Sequence, residues 1–292
     1  MDVLLPRTLE EALEIRAERP HAVPIAGGTD LMVAMNLEGY RPEAILDVSR
    51  LPELRGWRRE DDTVFLGAGV TFARIQRELQ DLRALVQASR SVGSPQIRNR
   101  GTVGGNLGTA SPAGDALPVL GVHDAEIELA AAGGRRRRLP WNAFLQGVKR
   151  TALTPDELIT GATWRALTGP QSFSKIGTRN AMVISVVSLC LALDPATRTV
   201  RVALGSVAPT VVRAAEAETF AAAAMERAGS WDEPAPLGGP DLEGFAERVV
   251  AAVAPIDDVR GTAAYRRHAV AVLARRALGW AIDERAEEAM VG

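Results

Sequence analysis

The sequence contains very little cysteine and histidine. Its 292 residues include one cysteine, Cys190, which can form no internal disulfide. One thiol also falls short of the about four thiolates that hold an iron–sulfur cluster. The three histidines, His21, His123 and His268, are too scattered to give the ligand spacing of a zinc site. We therefore expect neither a metal ion nor an iron–sulfur cluster on this chain.

An excess of one charge and a long apolar run are missing too. Lys and Arg number 34 against 36 Asp and Glu, a net charge of −2 that indicates no nucleic-acid or membrane-surface partner. The longest apolar run, residues 181–193, is shorter than the ~20 residues of a membrane span, and two serines interrupt it. The N-terminus lacks the residue order of a signal peptide. We expect a cytoplasmic protein without a membrane span.

The hydrophobic pattern predicts an α+β protein of two or three lobes. Thr8 and Glu11 predict a capped helix that ends before Pro20. The remaining pattern predicts strands at residues 23–25, 44–48, 63–67 and 199–204, a hairpin at 125–131 and 135–139, and helices near residue 31 and over 71–79, 181–193, 242–254 and 262–281. Residues 229–240 are predicted to form a surface loop. Changes in this pattern divide the chain into residues 1–55, 56–167 and 168–292.

Two glycine-rich segments stand out as candidates for ligand binding. The first, residues 26–30, follows a predicted strand and precedes a helix, where backbone amides can converge on an anion. A plain turn explains this segment equally well. The second lies within residues 96–115, a long loop dense in glycine and small polar residues. Neither matches the dinucleotide or P-loop patterns. Together they suit a long, bent, polar ligand better than a single phosphate.

These motifs resemble those of a known protein family. Residues 26–31 (AGGTDL), 96–106 (QIRNRGTVGGN) and 110–115 (ASPAGD) are similar to the FAD-binding medium subunit of molybdenum hydroxylases, the carbon monoxide dehydrogenase and xanthine dehydrogenase family. The similarity continues through residues 173–179, 255–261 and 265–267. It implies an oxidoreductase subunit with a two-lobed vanillyl-alcohol-oxidase-like FAD-binding fold, followed by a small α+β C-terminal domain.

The resemblance also implies which residues bind FAD. The first segment would hold the pyrophosphate and ribityl chain, the second would form another cradle, and Asp115 would accept a hydrogen bond from a ribose or ribityl hydroxyl. Ile159, Lys175 and Phe173 would line the flavin ring, and Val92 would touch the adenine end. The full set is Ile25, Ala26, Gly27, Gly28, Thr29, Asp30, Leu31, Val92, Thr102, Val103, Gly104, Gly105, Asn106, Ser111, Asp115, Ile159, Phe173 and Lys175.

Two departures from relatives narrow the expectation. Thr29 stands where some proteins of this fold attach FAD to a histidine, so we expect non-covalent FAD. Cys190 alone cannot supply the extra cluster of the benzoyl-CoA-reducing branch. By resemblance, the molybdenum cofactor and [2Fe–2S] clusters reside on a large and a small partner subunit, and the assembly is a dimer of heterotrimers. The chain would pass electrons from those clusters to a final acceptor.

Two other functions stay open at this point. A stand-alone flavin oxidoreductase would have the same fold, and a flavin-binding scaffold subunit without turnover would carry the same loops.

Two charged segments each allow two interpretations. The arginines at 135–138 form either a partner-binding patch or, as we favour, a solvated hairpin arm; Asp257 and Asp258 suggest helix capping rather than a metal pair.

Overall fold

The computed structural model describes residues 1–233 and 235–291. The chain forms two compact units. The N-terminal unit comprises residues 1–80, 92–111 and 124–165, and the C-terminal unit comprises residues 81–91, 112–123 and 166–292. The second unit therefore takes two short segments from the middle of the chain. The three-part division into residues 1–55, 56–167 and 168–292 stays a prediction.

A small parallel sheet opens the N-terminal unit. Its strands are β1 (Asp2–Leu4), β2 (Val23–Ile25) and β3 (Ala44–Asp47), in the order β1-β3-β2. Helix α1 (Leu9–Glu18) begins after Thr8, whose side chain accepts the Glu11 N–H as predicted, and α2 (Leu31–Leu37) follows β2. Leu13 of α1, Leu46 of β3 and Leu158 share one hydrophobic core.

A larger antiparallel sheet completes this unit. Its order is β4-β5-β10-β6-β7, formed by β4 (Trp57–Glu60), β5 (Thr63–Gly67), β6 (Glu126–Ala131), β7 (Arg135–Pro140) and β10 (Leu158–Arg165). The predicted hairpin is β6 with β7. The remaining elements of this unit are α3 (Phe72–Glu78), α5 (Pro95–Arg100), α6 (Val103–Thr109), α8 (Trp141–Phe144), β8 (Leu145–Gly147), β9 (Arg150–Thr151) and a 3-10 turn, Pro52–Leu54.

The C-terminal unit is a four-stranded antiparallel sheet with helices. The strands are β11 (Gln171–Ile176), β12 (Val187–Asp194), β13 (Thr199–Gly205) and β14 (Val212–Arg213), in that order. The helices are α4 (Arg83–Ser91), α7 (Ala116–Val122), α9 (Ala215–Arg227), α10 (Gly239–Ala251) and α11 (Ala263–Val291). Apolar side chains of β12, α9, α10 and α11 form its core.

The helix predicted over residues 181–193 is wrong. The structure has strand β12 there, buried at every position and paired with β11 and β13. A central strand covered on both faces needs apolar residues throughout, so it lacks the alternation that distinguishes a strand from a buried helix. Cys190 accordingly lies in a strand and not in a helix, although its predicted burial in the core is confirmed.

The loop predicted over residues 96–115 is also wrong in part, because α5 and α6 occupy much of it. Both helices are short, and each begins with a local signal. Ser94 caps α5 with Pro95 at its first position, and Thr102 caps α6. Six- and seven-residue helices offer too few positions for a periodic pattern. Helices α4, α7 and α9 were not predicted either, whereas α10 and α11 lie near their expected positions.

Candidate functional site

The first glycine segment forms a turn between β2 and α2. Gly28 has φ +76°, a conformation that side chains other than glycine's rarely adopt. Its carbonyl accepts the Met32 N–H at 3.1 Å, which begins the helical hydrogen bonding. Within the described chain, the N–H groups of residues 27–31 donate to no protein acceptor. The turn therefore presents consecutive unpaired amides, the feature that an anion-binding loop requires.

The first segment packs directly against the second. A Cβ on Gly27 would lie 2.5 Å from the carbonyl carbon of Arg100 and 2.9 Å from the backbone nitrogen of Gly101. The Arg100 Nε–H donates to the Gly27 carbonyl at 3.4 Å, and the Thr109 hydroxyl donates to the Asp30 carboxylate at 3.1 Å. Segments more than seventy residues apart therefore meet where glycine leaves room for the backbone.

The amides at the start of α6 are hydrogen-bonded within the protein, unlike those of the first glycine segment. The Gly104 N–H donates to the Ala68 carbonyl at 2.9 Å, and the Val103 N–H donates to the Val70 carbonyl at 3.3 Å. The Thr102 hydroxyl accepts the Gly105 N–H at 2.9 Å. These three amides therefore already have protein partners. Residues 102–105 anchor the second segment to its own unit, rather than present a row of free donors.

Gly104 allows α6 to pack closely against the backbone of Ala68. A Cβ at this position would lie 2.5 Å from the Cβ and 2.6 Å from the carbonyl oxygen of Ala68. The Ala68 N–H in turn donates to the Thr160 carbonyl at 3.0 Å, beside Ile159 on β10. Ile159 Cδ1 would lie 3.6 Å from a Cβ on Gly108. Ile159 therefore lies beside α6, whereas its contact with a flavin ring stays a prediction.

Three other predicted residues lie in the same unit. Asn106 is half-buried within α6, and Ser111 is half-buried just beyond its end. Val92 is half-buried, and its carbonyl accepts a hydrogen bond from the Arg98 guanidinium at 3.0 Å. The structure fixes the Val92 backbone through this bond, while its proposed contact with the adenine end stays a prediction.

Asp115 and Lys175 form an ion pair within the C-terminal unit. The Lys175 ammonium lies 2.6 Å from Asp115 Oδ2, and both side chains are largely buried. The Ser91 hydroxyl lies 3.0 Å from the same oxygen, and Lys175 also donates to the Ser91 carbonyl at 3.1 Å. Burial raises the pKa of the Asp115 carboxyl, whereas the Lys175 charge and the two hydrogen bonds act in the opposite direction.

The second oxygen of Asp115 has no such partner. Asp115 Oδ1 is buried and makes no hydrogen bond within the described residues. A buried carboxylate oxygen without a donor is costly, so this atom is suited to accept a hydrogen bond from a ligand.

Phe173, on the same strand as Lys175, is buried, and its N–H donates to the Gln87 side chain at 2.7 Å. Its proposed stacking on a flavin ring is untested by these contacts.

Sequence reasoning missed Ser91, Arg100 and Thr109. Each contacts a predicted residue across 24 to 79 positions of sequence. Arg100 and Thr109 lie inside or beside the second glycine segment, which was a usable signal. No sequence pattern distinguishes Ser91 from the other serines of residues 89–94.

The two charged segments, residues 135–138 and Asp257 with Asp258, make ion pairs and a helix cap within the protein. Three arginines of β7 pair with acidic residues of their own unit: Arg135 with Asp156, Arg137 with Glu157, and Arg138 with Glu128. Asp257 accepts the Ala263 N–H at the start of α11, as a capping residue does. Asp258 pairs with the buried Arg266 at 2.7 Å. Among the described residues no cluster of His, Cys, Asp or Glu is arranged to hold a metal ion.

Comparison with known families accounts for both units. A family model described as the FAD binding domain in molybdopterin dehydrogenase matches residues 1–163. A second model, the CO dehydrogenase flavoprotein C-terminal domain, matches residues 172–281. The chain belongs to this family of FAD-binding subunits. FAD is its cofactor, and its relatives are flavoprotein subunits of molybdenum-dependent dehydrogenases.

Individual relatives extend over the chain to different degrees. It is 36% identical to the nicotinate dehydrogenase FAD-subunit of Eubacterium barkeri over 192 residues, 62% of this chain and 64% of that one. It is 32% identical to the putative xanthine dehydrogenase FAD-binding subunit of Escherichia coli K12, with 94% of both chains covered. The solved carbon monoxide dehydrogenase of Hydrogenophaga pseudoflava matches with a TM-score of 0.84 at 26% identity, over 97% of this chain and 98% of that chain.

This structural match confirms the predicted fold class. The chain mixes helices and strands and matches carbon monoxide dehydrogenase medium-chain structures that have an FAD-binding domain and a C-terminal domain. Two features of this chain fit FAD. The unpaired amides of residues 27–31 suit a pyrophosphate, and the buried Asp115 Oδ1 suits a hydroxyl donor. In the described part of the chain, no helix combines the length and apolar character needed to cross a membrane.

Proposed function

We propose that this chain is the FAD-carrying electron-transfer subunit of a molybdenum hydroxylase. It would accept electrons from [2Fe–2S] clusters on a small partner subunit and pass them to a final acceptor. A large partner subunit with the molybdenum cofactor would oxidise the substrate. We further propose a cytoplasmic dimer of heterotrimers. The observation that carries the proposal is the turn of unpaired amides that packs against the second glycine segment, in a chain of this family.

The N-terminal unit would bind the pyrophosphate and ribityl chain of FAD. Within the part of the chain that the structure describes, the amides of residues 27–31 donate to no protein acceptor, so they can donate to phosphate oxygens without breaking a bond described there. Gly27 and Gly104 hold the flanking backbone close, which fixes the turn before the ligand arrives. Such preorganisation raises affinity because little ordering remains to be done on binding. Thr29 would leave the FAD non-covalent.

Asp115 and Lys175 would contact FAD through groups of opposite charge, a carboxylate and an ammonium. Asp115 Oδ1 would accept a hydrogen bond from a ribose or ribityl hydroxyl, because a carboxylate suits a hydroxyl but repels a phosphate. Lys175, with Ile159 and Phe173, would line the flavin ring. Bound FAD supplies a two-electron redox centre; the residues' own task is to hold it and set its electrostatic surroundings.

The experiment combines FAD titration with reconstitution. Purified chain, stripped of FAD and titrated with it, is expected to bind FAD reversibly, seen as quenching of flavin fluorescence. With the small and large subunits and the enzyme's substrate added, the visible absorption band of the bound oxidised FAD is expected to bleach as electrons arrive. No FAD uptake would refute the proposal. An active complex whose FAD never bleaches would favour a scaffold, and turnover by the isolated chain would favour a stand-alone oxidoreductase.

A further inference from the structure

Ser91 is the last residue of α4, and it contacts both members of the Asp115–Lys175 pair. Its hydroxyl lies 3.0 Å from Asp115 Oδ2, and its carbonyl accepts the Lys175 ammonium at 3.1 Å. Lys175 completes the triangle with its 2.6 Å bond to Asp115 Oδ2. Both internal donors therefore use one carboxylate oxygen, and the other, Oδ1, remains buried without a partner in the described residues.

The Ser91 hydroxyl has two possible acceptors and one hydrogen. It lies 2.7 Å from the Ala88 carbonyl as well as 3.0 Å from Asp115 Oδ2. When Asp115 is ionised, the hydroxyl can donate to Oδ2 and stabilise the charge. When Asp115 is protonated, Oδ2–H can donate to Ser91 Oγ, which then donates to Ala88. Either way Oδ2 stays bound to Ser91 and Oδ1 keeps its direction.

We propose that Ser91 is a positioning residue for FAD binding, which holds Asp115 so that Oδ1 alone is presented to a hydroxyl donor of the cofactor. This inference rests on the proposed FAD contact of Asp115. Without the hydroxyl, Lys175 would be the one donor to the carboxylate that the described residues supply. The carboxylate could then rotate or take up a proton, and both changes weaken the acceptor at Oδ1.

The charges around Asp115 make the pH dependence interpretable. In the described chain, Lys175 is the charged group that reaches Asp115 from the packed strand β11. Arg201 and Arg213, from β13 and β14, bind the carbonyls of Val122 and Gly121 at the far end of α7. Loss of the Ser91 hydroxyl removes one group that lowers the pKa of Asp115. The variant's carboxyl should therefore take up its proton at a higher pH than the wild type's.

The test measures the FAD dissociation constant of the full chain and of its Ser91 variants between about pH 5 and about pH 8, the range in which proteins tend to be most stable. Ser91→Ala is expected to weaken FAD binding about tenfold at neutral pH, the loss of one hydrogen bond to a charged group. The pH below which binding weakens should also move upward. Ser91→Thr, which keeps the hydroxyl, should restore both values.

Ser172→Ala is the matched control. It removes a hydroxyl oxygen from the same unit, at a buried side chain that has no hydrogen-bond partner among the described residues. Binding by Ser91→Ala that equals the wild type, or that weakens by one factor at every pH, would overturn the positioning role. If Ser91→Ala does not fold, Ser91→Cys, of similar size with a weaker donor, is judged by the same criteria. Failure of the wild type to bind FAD would instead refute the proposed function and this inference with it.

Discussion

Replacement of Gly27 with alanine puts a methyl group where the two glycine segments pack together. The new Cβ would lie 2.5 Å from the carbonyl carbon of Arg100 and 2.9 Å from the nitrogen of Gly101. Both are backbone atoms, and Gly101 is held by its own N–H bond to Ile97 and by its carbonyl's bond from Phe72. Ordinary contact requires 3.4 Å or more, so one segment must move by roughly 1 Å.

This displacement should cost affinity because the amides of residues 27–31 are fixed by the turn. Loss of two charge-assisted hydrogen bonds to the pyrophosphate, at about 1.5 kcal/mol each, gives about 3 kcal/mol. That free energy corresponds to roughly a 150-fold increase in the FAD dissociation constant. Fluorescence titration of the purified chain measures it. The accompanying loss of unfolding free energy should be about 1 to 3 kcal/mol, the usual effect of overpacking.

Gly56→Ala provides the control for Gly27→Ala. Gly56 lies in the same unit, has nothing within 4 Å of its added Cβ, and does not require a left-handed backbone. This variant is expected to bind FAD as the wild type does. Wild-type affinity in Gly27→Ala would show that the contact between the segments does not position the amides, and it would refute the reasoning.

Three further variants probe other parts of the structure. The hydrogen bonds from Arg74 lower the pKa of Glu78 to about 2 from the ordinary 4.5, so its stabilising effect is present above pH 4.5 and lost as the pH falls toward 2. Glu78→Gln should therefore flatten the pH dependence of the unfolding free energy in that window. Arg266→Met should lower the unfolding free energy by about 3 kcal/mol, measured by denaturant titration, because the Val186 and Ser206 carbonyls lose their guanidinium donor and Asp258 loses its ion pair with Arg266. The double variant Asp115→Leu with Lys175→Met should keep most of the thermal stability but lose FAD affinity.

The local elements of the fold could be predicted because their signals are local. Thr8 with Glu11, and the glycine turn after β2, specify structure within a few residues. Strand β12 could not be assigned, because its eight positions are all buried and its composition reflects coverage on both faces. The glycine motifs correctly indicated the family, and they predicted a first segment for FAD binding. They did not reveal that the amides of residues 103–105 already have protein partners.

Contacts between residues far apart in the sequence limited how much of the candidate site could be predicted. Asp115 and Lys175 could be named as site residues by resemblance, yet their mutual ion pair joins positions 60 residues apart. No pattern of composition or spacing indicates such a pair. Thr109 and Asp30 illustrate the same limit across 79 residues. The sequence could therefore name candidate members of the site, whereas their partners and the direction of each polar atom required the folded chain.

The buried Asp115–Lys175 pair is better explained by binding than by stability. Removing two charges from water costs several kcal/mol per ion, and an apolar pair of similar volume is often as stable or more so. Among the described residues the pair also leaves Asp115 Oδ1 without a donor, an additional cost of about 1 to 3 kcal/mol in a buried site. Because Lys175 and Ser91 both contact Oδ2, Oδ1 is left as an acceptor at a fixed direction, as the proposed hydrogen bond from FAD requires.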